Sequence, residues 1–596
     1  MRRKTAVVCS LANFVIFAVG VALLVLGLVF ALKIIPNDLE DHAKKEYVLG
    51  TNADGSFNDF TRRWRWRDDA SGTNGAFLEV YMYNYSNVWD VMDLGVKPDV
   101  VEIGPYAYRQ RTNVESEEMT AASGSERFAF TRKTTFVFDS QRSCSTCTPD
   151  DRFLIPDPIF FQFFSKIGSV EKVESLCRLL GSKCPPELHG LLNSIPSMFG
   201  LAVDAFERYG PFFTVSVREI LFDGFADPLY AKAIGGIFKL VRWILQDEKF
   251  DANKLFPQPF YRFKENGTES TYTLMTGSDG YRNNGQIVSF EVNNATSEEG
   301  TLPEAWWNAS DAHCDAEEAR KLFGTNGDFF HPLLSKSDSL AIFVEEVCRP
   351  LKLVFQREIS QSDVAAFRFV LDSNSFDYSN PENCGFCKTT EASFYGRSEN
   401  ASCLPSGVLD LSQCTTNSLP IVASNPHFFD AEREVVMMFP RTVRKEKERE
   451  VISVDVEPKT GTVLRSNKRL QFNVLVQQFP DIPSFSVMQS GVYPMFWINE
   501  TYAINDYDLK ALKDDLLGTR KTWKLVCYVV GVGLGAFLIA VSVLSCAITL
   551  YKSSKQTKTV RIQPSAPSES ATGSRVSAIE VSSASEIRSR GRRTRE

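Results

Sequence analysis

The chain has 596 residues, 43% hydrophobic and 23% charged, with a formal net charge of −7. That balance suits a folded protein and excludes collagen-like, wholly disordered and nucleic-acid-binding classes. The charge is unevenly placed: Arg2, Arg3 and Lys4 make the start basic, ten Lys/Arg against four Glu make Lys552 to Glu596 basic, and the acidic excess lies between.

Residues 1–4 read as a cytosolic N-terminus and 5–32 as a transmembrane helix. Thr5 to Leu32 carries no charge and as a helix reaches roughly 40 Å, enough to cross a ~30 Å hydrocarbon core. It exceeds a signal-peptide core and lacks a small-x-small cleavage site, so it is read as a retained anchor. Residues 33–524 then form the luminal or extracellular ectodomain.

Within it, Ile34 to about Arg152 is mainly strand. Phe77 to Tyr85 and Thr134 to Phe138 are rich in strand formers, and Gly104-Pro105 predicts a turn before Tyr106 and Tyr108. Trp64-Arg65-Trp66-Arg67 suits headgroup docking, cation–π pairing or local packing. From Phe153 to about Glu219 the period becomes helical. Ile159, Phe160, Phe163 and Phe164 share a face, Val170, Val173, Leu176 and Leu180 recur at three- and four-residue steps, and prolines divide the run into short helices. From Phe260 to Tyr502 strand signals return. The cleanest hairpin alternates at Ile452, Val454 and Val456, turns at Pro458-Lys459-Thr460-Gly461, and alternates again at Leu470, Phe472, Val474 and Val476. Consecutive hairpins predict an antiparallel sheet or barrel.

Leu525 to Tyr551 is a second charge-free run, read as transmembrane helix 525–551. Its Gly531 and Gly535 form a G-x-x-x-G spacing that permits close packing with the first span or with another subunit. Residues 552–596, without an aromatic side chain, read as a disordered basic cytosolic tail that is solvated or touches anionic lipid. Basic residues outside both spans place both termini in the cytosol.

Of thirteen cysteines, Cys9, Cys527 and Cys546 fall in the spans and ten lie between them. An even set outside the cytosol reads as disulfides. The two C-x-x-C pairs also suit zinc or redox chemistry, but the chain has only five scattered His. Six glycosylation sequons start at Asn84, Asn266, Asn294, Asn308, Asn400 and Asn499, all between the anchors. There is no G-x-S-x-G, H-E-x-x-H or G-x-x-x-x-G-K-[ST] run. The expectation is therefore a protein that is not an enzyme, with no cofactor and no metal.

Several motifs resemble, in order, those of the class B scavenger receptor family. Gly95-Val96-Lys97-Pro98 and Val101-Glu102-Ile103-Gly104-Pro105-Tyr106-Ala107-Tyr108-Arg109 resemble its signature, with Asn84-Tyr85-Ser86-Asn87 just upstream. Leu221 to Pro228 resembles its aromatic-Gly-aromatic-x-Asp-Pro motif, with Asp223 inserted. Gly324-Thr325-Asn326-Gly327 with Phe330-His331-Pro332, and then Phe343 to Arg349, continue the match. Cys403 to Asp410 with Cys414, Pro426-His427-Phe428 and Asp455 to Gly461 complete it over nearly the whole chain. Departures are Cys144, Cys147, Cys177 and Cys184, which have no partner in the family pattern, and the extra residue between Cys384 and Cys387.

The resemblance implies an α+β fold: an antiparallel β-barrel ectodomain core with a membrane-distal helical bundle at about 153–219, flanked by two transmembrane helices. It implies the disulfides Cys314–Cys384, Cys348–Cys414 and Cys387–Cys403. The pairs Cys144–Cys147 and Cys177–Cys184 are expected in addition, without support from the family. It further implies a receptor glycoprotein that binds lipids, lipoproteins or protein cargo at the head and passes lipid through a hydrophobic tunnel to the bilayer. Lys166, Lys172, Arg178, Lys183 and Arg208 are the candidate ligand-capture residues, read otherwise as a mixed-charge solvated face. Expected partners are membrane lipids, lipid or lipoprotein ligands, protein cargo and further copies of the chain, with no nucleic acid. The location is the plasma membrane or the lysosomal or endosomal membrane. Alternatives are a lysosomal cargo- or enzyme-sorting receptor, a two-span channel and an ecto-nucleotidase.

Overall fold

The computed structural model describes residues 2–65, 75–122, 125–167, 190, 194, 210–226, 239, 260–292, 295–307, 316–387, 403–414, 418–439, 451–478 and 486–559. They fall into two compact units, Met1–Ala31 with Leu525–Glu596, and Leu32–Lys524.

In the first unit, helix Arg2–Val29 packs against the segment formed by a π-helical stretch, Cys527–Leu534, and the helix Gly535–Thr559. The packing is antiparallel. Gly27 meets Gly531, and Gly20 meets Gly535, so closely that a Cβ on Gly27 would lie 2.6 Å from the Gly531 Cα. Glycine is required on both sides because only a bare backbone allows that approach. Farther along, Asn13 Nδ2 donates to Ser545 Oγ at 3.0 Å and Ser542 Oγ donates to the Asn13 carbonyl at 2.7 Å. The G-x-x-x-G spacing at Gly531 is thus used within the chain. Helix continues past the expected end at Tyr551 as far as Thr559, so the tail begins helical rather than disordered. After the first span, a π-helical turn Phe30–Ile34 and a helix Ile35–Glu46 carry helical structure beyond Leu32. The stretches Leu11–Glu46 and Thr522–Lys552 are long and apolar enough to cross a bilayer.

The second unit is built on one antiparallel sheet. Its strands are β1 (Gly75–Tyr85), β2 (Val100–Ala122), β3 (Ser125–Phe138), β6 (Thr268–Met275), β7 (Ile287–Val292), β8 (Ala295–Thr296), β9 (Leu340–Val344), β10 (Arg349–Gln361), β11 (Val364–Leu371), β12 (Val408–Asp410), β13 (Ile421–Ser424), β14 (Ile452–Val456), β15 (Val463–Val476) and β16 (Gly491–Ala503). A separate pair joins β4 (Arg152–Pro156) to β5 (Phe212–Ser216). The main order is β8-β7-β6-β3-β2-β1-β16-β15-β14-β11-β10-β9, with β13 bridging β12 to β15.

Among the described residues this ladder does not close, which corrects the expected barrel. The ends come together through a loop instead. Ile287 of β7 donates its backbone N–H to the Gly324 carbonyl, and Thr325 forms an isolated parallel bridge with Ile342 of β9. Gly324 sits at φ +88° with the Ala341 carbonyl 2.6 Å from where a Cβ would be, so this crossing needs glycine.

Two local expectations also change. Gly104-Pro105 is not a turn but a cis peptide inside β2. The register to β1 slips there, with Gly104 and Pro105 of β2 set against the single residue Tyr81 between Val80↔Tyr106 and Met82↔Ile103. A bulge absorbs the missing proline N–H that a continuous ladder would need. The expected head begins and ends in strand, because Phe153 pairs with Val215 and Pro156 with Phe212. Its first helix, Pro158–Ile167, starts where Asp157 Oδ1 accepts the N–H groups of Ile159 and Phe160. Ile159, Phe160, Phe161, Phe163 and Phe164 are all buried, so the helix is enclosed rather than one-faced. The rest of the head lies almost wholly outside the described residues.

The late hairpin lies where alternation predicts it, as β14 and β15. The residues of β14 are buried on both faces, as are most of those of β16. Pro494 is accommodated in β16 where the register to β15 skips Met495.

Candidate functional site

Two motifs of the sequence meet 325 residues apart. Glu102, on β2, accepts from His427 Nε2 at 2.6 Å and from Trp497 Nε1 at 3.1 Å. Trp497 in turn stacks on Tyr81 at 4.0 Å. His427 is held in a left-handed conformation, φ +58°, with its N–H on Gln471 Oε1 at 2.7 Å. Gln471 also accepts from Tyr83 Oη and passes its own amide to Asn473. This network, buried except at half-buried Glu102 and Tyr81, fastens β1, β2, β15 and β16 to the loop at Pro426. Its chemistry is positional: one carboxylate orients two rings.

One opening lies along the sheet. A cavity of about 190 Å³ is walled by Thr112 of β2, Val454 of β14, Lys468 of β15, Glu500 of β16 and Ile342 of β9, with Asp328 from the closing loop. The sheet therefore curls around a space although its ladder is open. A second, mainly apolar cavity of about 70 Å³ is lined by Tyr47, Phe60, Phe329, Ile504 and Leu512. Asp328 and Tyr502 line both.

Two wall residues of the first cavity, Lys468 and Glu500, belong to a square of four charges. Lys264 Nζ lies 2.5 Å from Glu346 and 2.6 Å from Glu500; Lys468 Nζ lies 2.8 Å from Glu346 and 2.5 Å from Glu500. Burial works against the charge on Lys264 and Lys468, but Glu346 and Glu500 outweigh it and raise both pKa values. Burial likewise works against ionised Glu346, and the two lysines outweigh it, holding the carboxyl far below its usual range. Beside the square, Arg132 reaches Asp328 at 3.3 Å and Glu345 at 3.7 Å, over the ring of Tyr272. Burial, then Glu345, pushes the Tyr272 hydroxyl well above its ordinary value, and that hydroxyl donates to Glu345. Sequence reading missed this group, since Lys264, Glu346, Lys468 and Glu500 lie on four separate segments. Its trace in the sequence is the charge of Lys468 and Glu500 inside strands that otherwise read as buried.

The structure bonds Cys348 to Cys414, Cys387 to Cys403 and Cys144 to Cys147. Cys384 is also disulfide-bonded, while Cys314, Cys177 and Cys184 lie outside the described residues. Three sequon asparagines are described. Asn84 Oδ1 accepts from Leu154 N at 2.9 Å, and Asn266, exposed, both accepts from and donates to the Phe136 backbone. Asn499 is 7% exposed, and its amide donates to Glu79 at 2.9 Å, a bond that an attached glycan would displace. Asn294, Asn308 and Asn400 lie outside the described residues, as do Lys172, Arg178, Lys183 and Arg208. Lys166 belongs to the helix Pro158–Ile167, and Trp64 and Arg65 to the helix Asp59–Arg65.

A curled antiparallel sheet with long apolar helices toward both ends of the chain suits an integral membrane protein. The pattern of the CD36 family matches residues 18–546, and the chain belongs to that family, the class B scavenger receptors. It is 34% identical over 569 residues to an uncharacterized Caenorhabditis elegans protein, covering 91% of this chain and 97% of that one. It is 27% identical over 439 residues to lysosome membrane protein 2 of Rattus norvegicus, covering 74% and 77%. It is 26% identical over 491 residues to sensory neuron membrane protein 2 of Ostrinia furnacalis, covering 79% and 82%.

Proposed function

We propose that this protein is a doubly anchored receptor glycoprotein that captures lipid or lipid-carrying particles at its head and passes lipid through its interior to the bilayer. The observation that carries the reading is the pair of adjoining cavities. The polar one is continuous in lining with the apolar one through Asp328 and Tyr502. The apolar one is lined by Tyr47 and Leu512, which stand close in sequence to the first and second spans. Each methylene removed from water gains ~0.8 kcal/mol. An apolar path therefore lowers the barrier to moving an acyl chain between particle and membrane.

The head residues Lys166, Lys172, Arg178, Lys183 and Arg208 supply the capture surface in this reading. Both termini lie in the cytosol, a placement supported by the antiparallel packing of the spans and by the basic residues outside them. Plasma and lysosomal membranes both suit such a protein. The likeness to lysosome membrane protein 2 favours, as a second reading, a sorting receptor for lysosomal cargo.

The test is lipid mass spectrometry of the full-length protein purified in detergent, beside a Leu512→Trp variant that fills the apolar cavity. Co-purifying lipid that falls at least threefold in the variant supports the conduit. Wild-type protein that carries no lipid at all refutes it.

A further inference from the structure

The walls of the larger cavity carry a charge pattern that a lipid conduit as such does not require. Its two cations are both occupied. Lys468 is held between Glu346 and Glu500 at 2.8 and 2.5 Å, and Arg132 between Asp328 and Glu345 at 3.3 and 3.7 Å. Counting Lys264 of the square, three cations face four carboxylates among the described residues. An anion entering this space meets Glu500 and Asp328 and, among the described residues, finds no cation without a carboxylate partner. The rest of the polar wall is uncharged, supplied by Gln110, Thr112, Ser466, Asn467 and Thr501.

Resting on the conduit reading above, we propose that this cavity is a headgroup site for lipids with a net-neutral, hydroxyl-bearing head, such as a monoacylglycerol, and that it discriminates against free anionic amphiphiles. Size agrees. A cavity near 150 Å³ holds a benzene ring, so about 190 Å³ holds a glycerol head with part of its ester link but no acyl chain. The chain then runs toward the smaller apolar cavity, where Phe60, Phe329 and Leu512 are the lining. Hydroxyl groups bond to the amide and hydroxyl side chains of the wall without disturbing any ion pair. A carboxylate or sulfonate has to displace a carboxylate from Lys468 or Arg132, and trading one paired anion for another leaves the displaced side chain without its cation.

The experiment uses the full-length protein immobilised in detergent. Radiolabelled monooleoylglycerol is bound and then displaced by unlabelled monooleoylglycerol or by oleyl sulfonate, which has the same chain and a head ionised at every working pH. The expected result is displacement by monooleoylglycerol at a concentration at least tenfold lower than by the sulfonate. Glu500→Gln removes one carboxylate from around Lys468 and narrows that ratio at least threefold. Asp328→Asn, on the more exposed pair, narrows it in the same direction and serves where Glu500→Gln does not fold. Ser466→Trp fills the cavity and weakens monooleoylglycerol binding at least tenfold. Sulfonate that competes as well as monooleoylglycerol, or Ser466→Trp that binds as wild type does, overturns the headgroup assignment while leaving the conduit intact. Failure of both amphiphiles to bind the wild type refutes the conduit itself.

Discussion

Glu346→Gln is the sharpest perturbation of the unit Leu32–Lys524. The Glu346 side chain is 6% exposed and lies within 2.8 Å of both Lys264 and Lys468. Neutralising it leaves two half-buried ammonium groups sharing Glu500. Removing one partner from a buried ion pair costs about 3–5 kcal/mol, and because glutamine keeps an oxygen as acceptor the lower end applies. Unfolding entropy is ~2 cal/mol/K per residue. Spread over a unit as large as Leu32–Lys524, a loss of about 3 kcal/mol lowers Tm by roughly 3 °C. A paired change, Glu346→Gln with Lys264→Met, restores equal numbers of cations and carboxylates in the square and is less destabilising than the sum of its parts. The pH dependence has a definite sign. Glu346 has a depressed pKa, so its contribution is complete above the unfolded value near ~4.3 and is lost as pH falls through the folded value. Lys264 and Lys468 have raised values, so theirs is complete below ~10.4 and is lost as pH rises through the folded values. The wild-type to Glu346→Gln difference is therefore flat from about pH 5 to about pH 9. Scanning fluorimetry of the purified protein reads all of this. A Tm change under 1 °C, strictly additive double variants, or a difference that collapses between pH 7 and pH 5 refutes the reasoning.

Gly27→Leu drives a side chain into the Gly531 backbone and separates the spans. With cysteines at positions 13 and 545 in a background lacking Cys9, Cys527 and Cys546, oxidative crosslinking is efficient and falls several-fold when Gly27→Leu is added. Losing the Cys348–Cys414 bond, which closes a 66-residue separation, costs about 4 kcal/mol against about 3 kcal/mol for Cys387–Cys403 across 16; denaturant melts of the two double-serine variants give that order. Glycopeptide mass spectrometry finds Asn499 unmodified, since its side chain is committed to Glu79 inside the sheet, and finds glycan at exposed Asn266.

Features set by neighbours in sequence were legible and those set by distant partners were not. The apolar helices announced themselves because a charge-free run of such length has few other homes. The β14–β15 hairpin was legible because its alternation and turn are contiguous. Gly104-Pro105 misled because the same dipeptide serves a turn or a bulge, and only the β1 register decides between them. The strands at Phe153 and Phe212 were hidden for a similar reason: each is short and finds its partner some sixty residues away. The family signature pointed to Glu102 and His427 without revealing that they touch. The open ladder was invisible too, because the loop at Gly324 that spans its ends contributes isolated bridges rather than a strand.

The pairing of β1 with β16, from Gly75↔Ala503 to Met82↔Phe496, has a consequence for how the molecule is made. Ribosomes add roughly 5–20 residues per second, so β1 leaves the ribosome tens of seconds before its partner exists. During that interval β2 and β3 can zip onto one side of β1, while its other edge stays bare, with Phe77, Tyr81 and Tyr83 beside it. Maturation of this sheet thus waits on β16, and a truncation that removes Gly491–Ala503 leaves an adhesive edge for chaperones to hold.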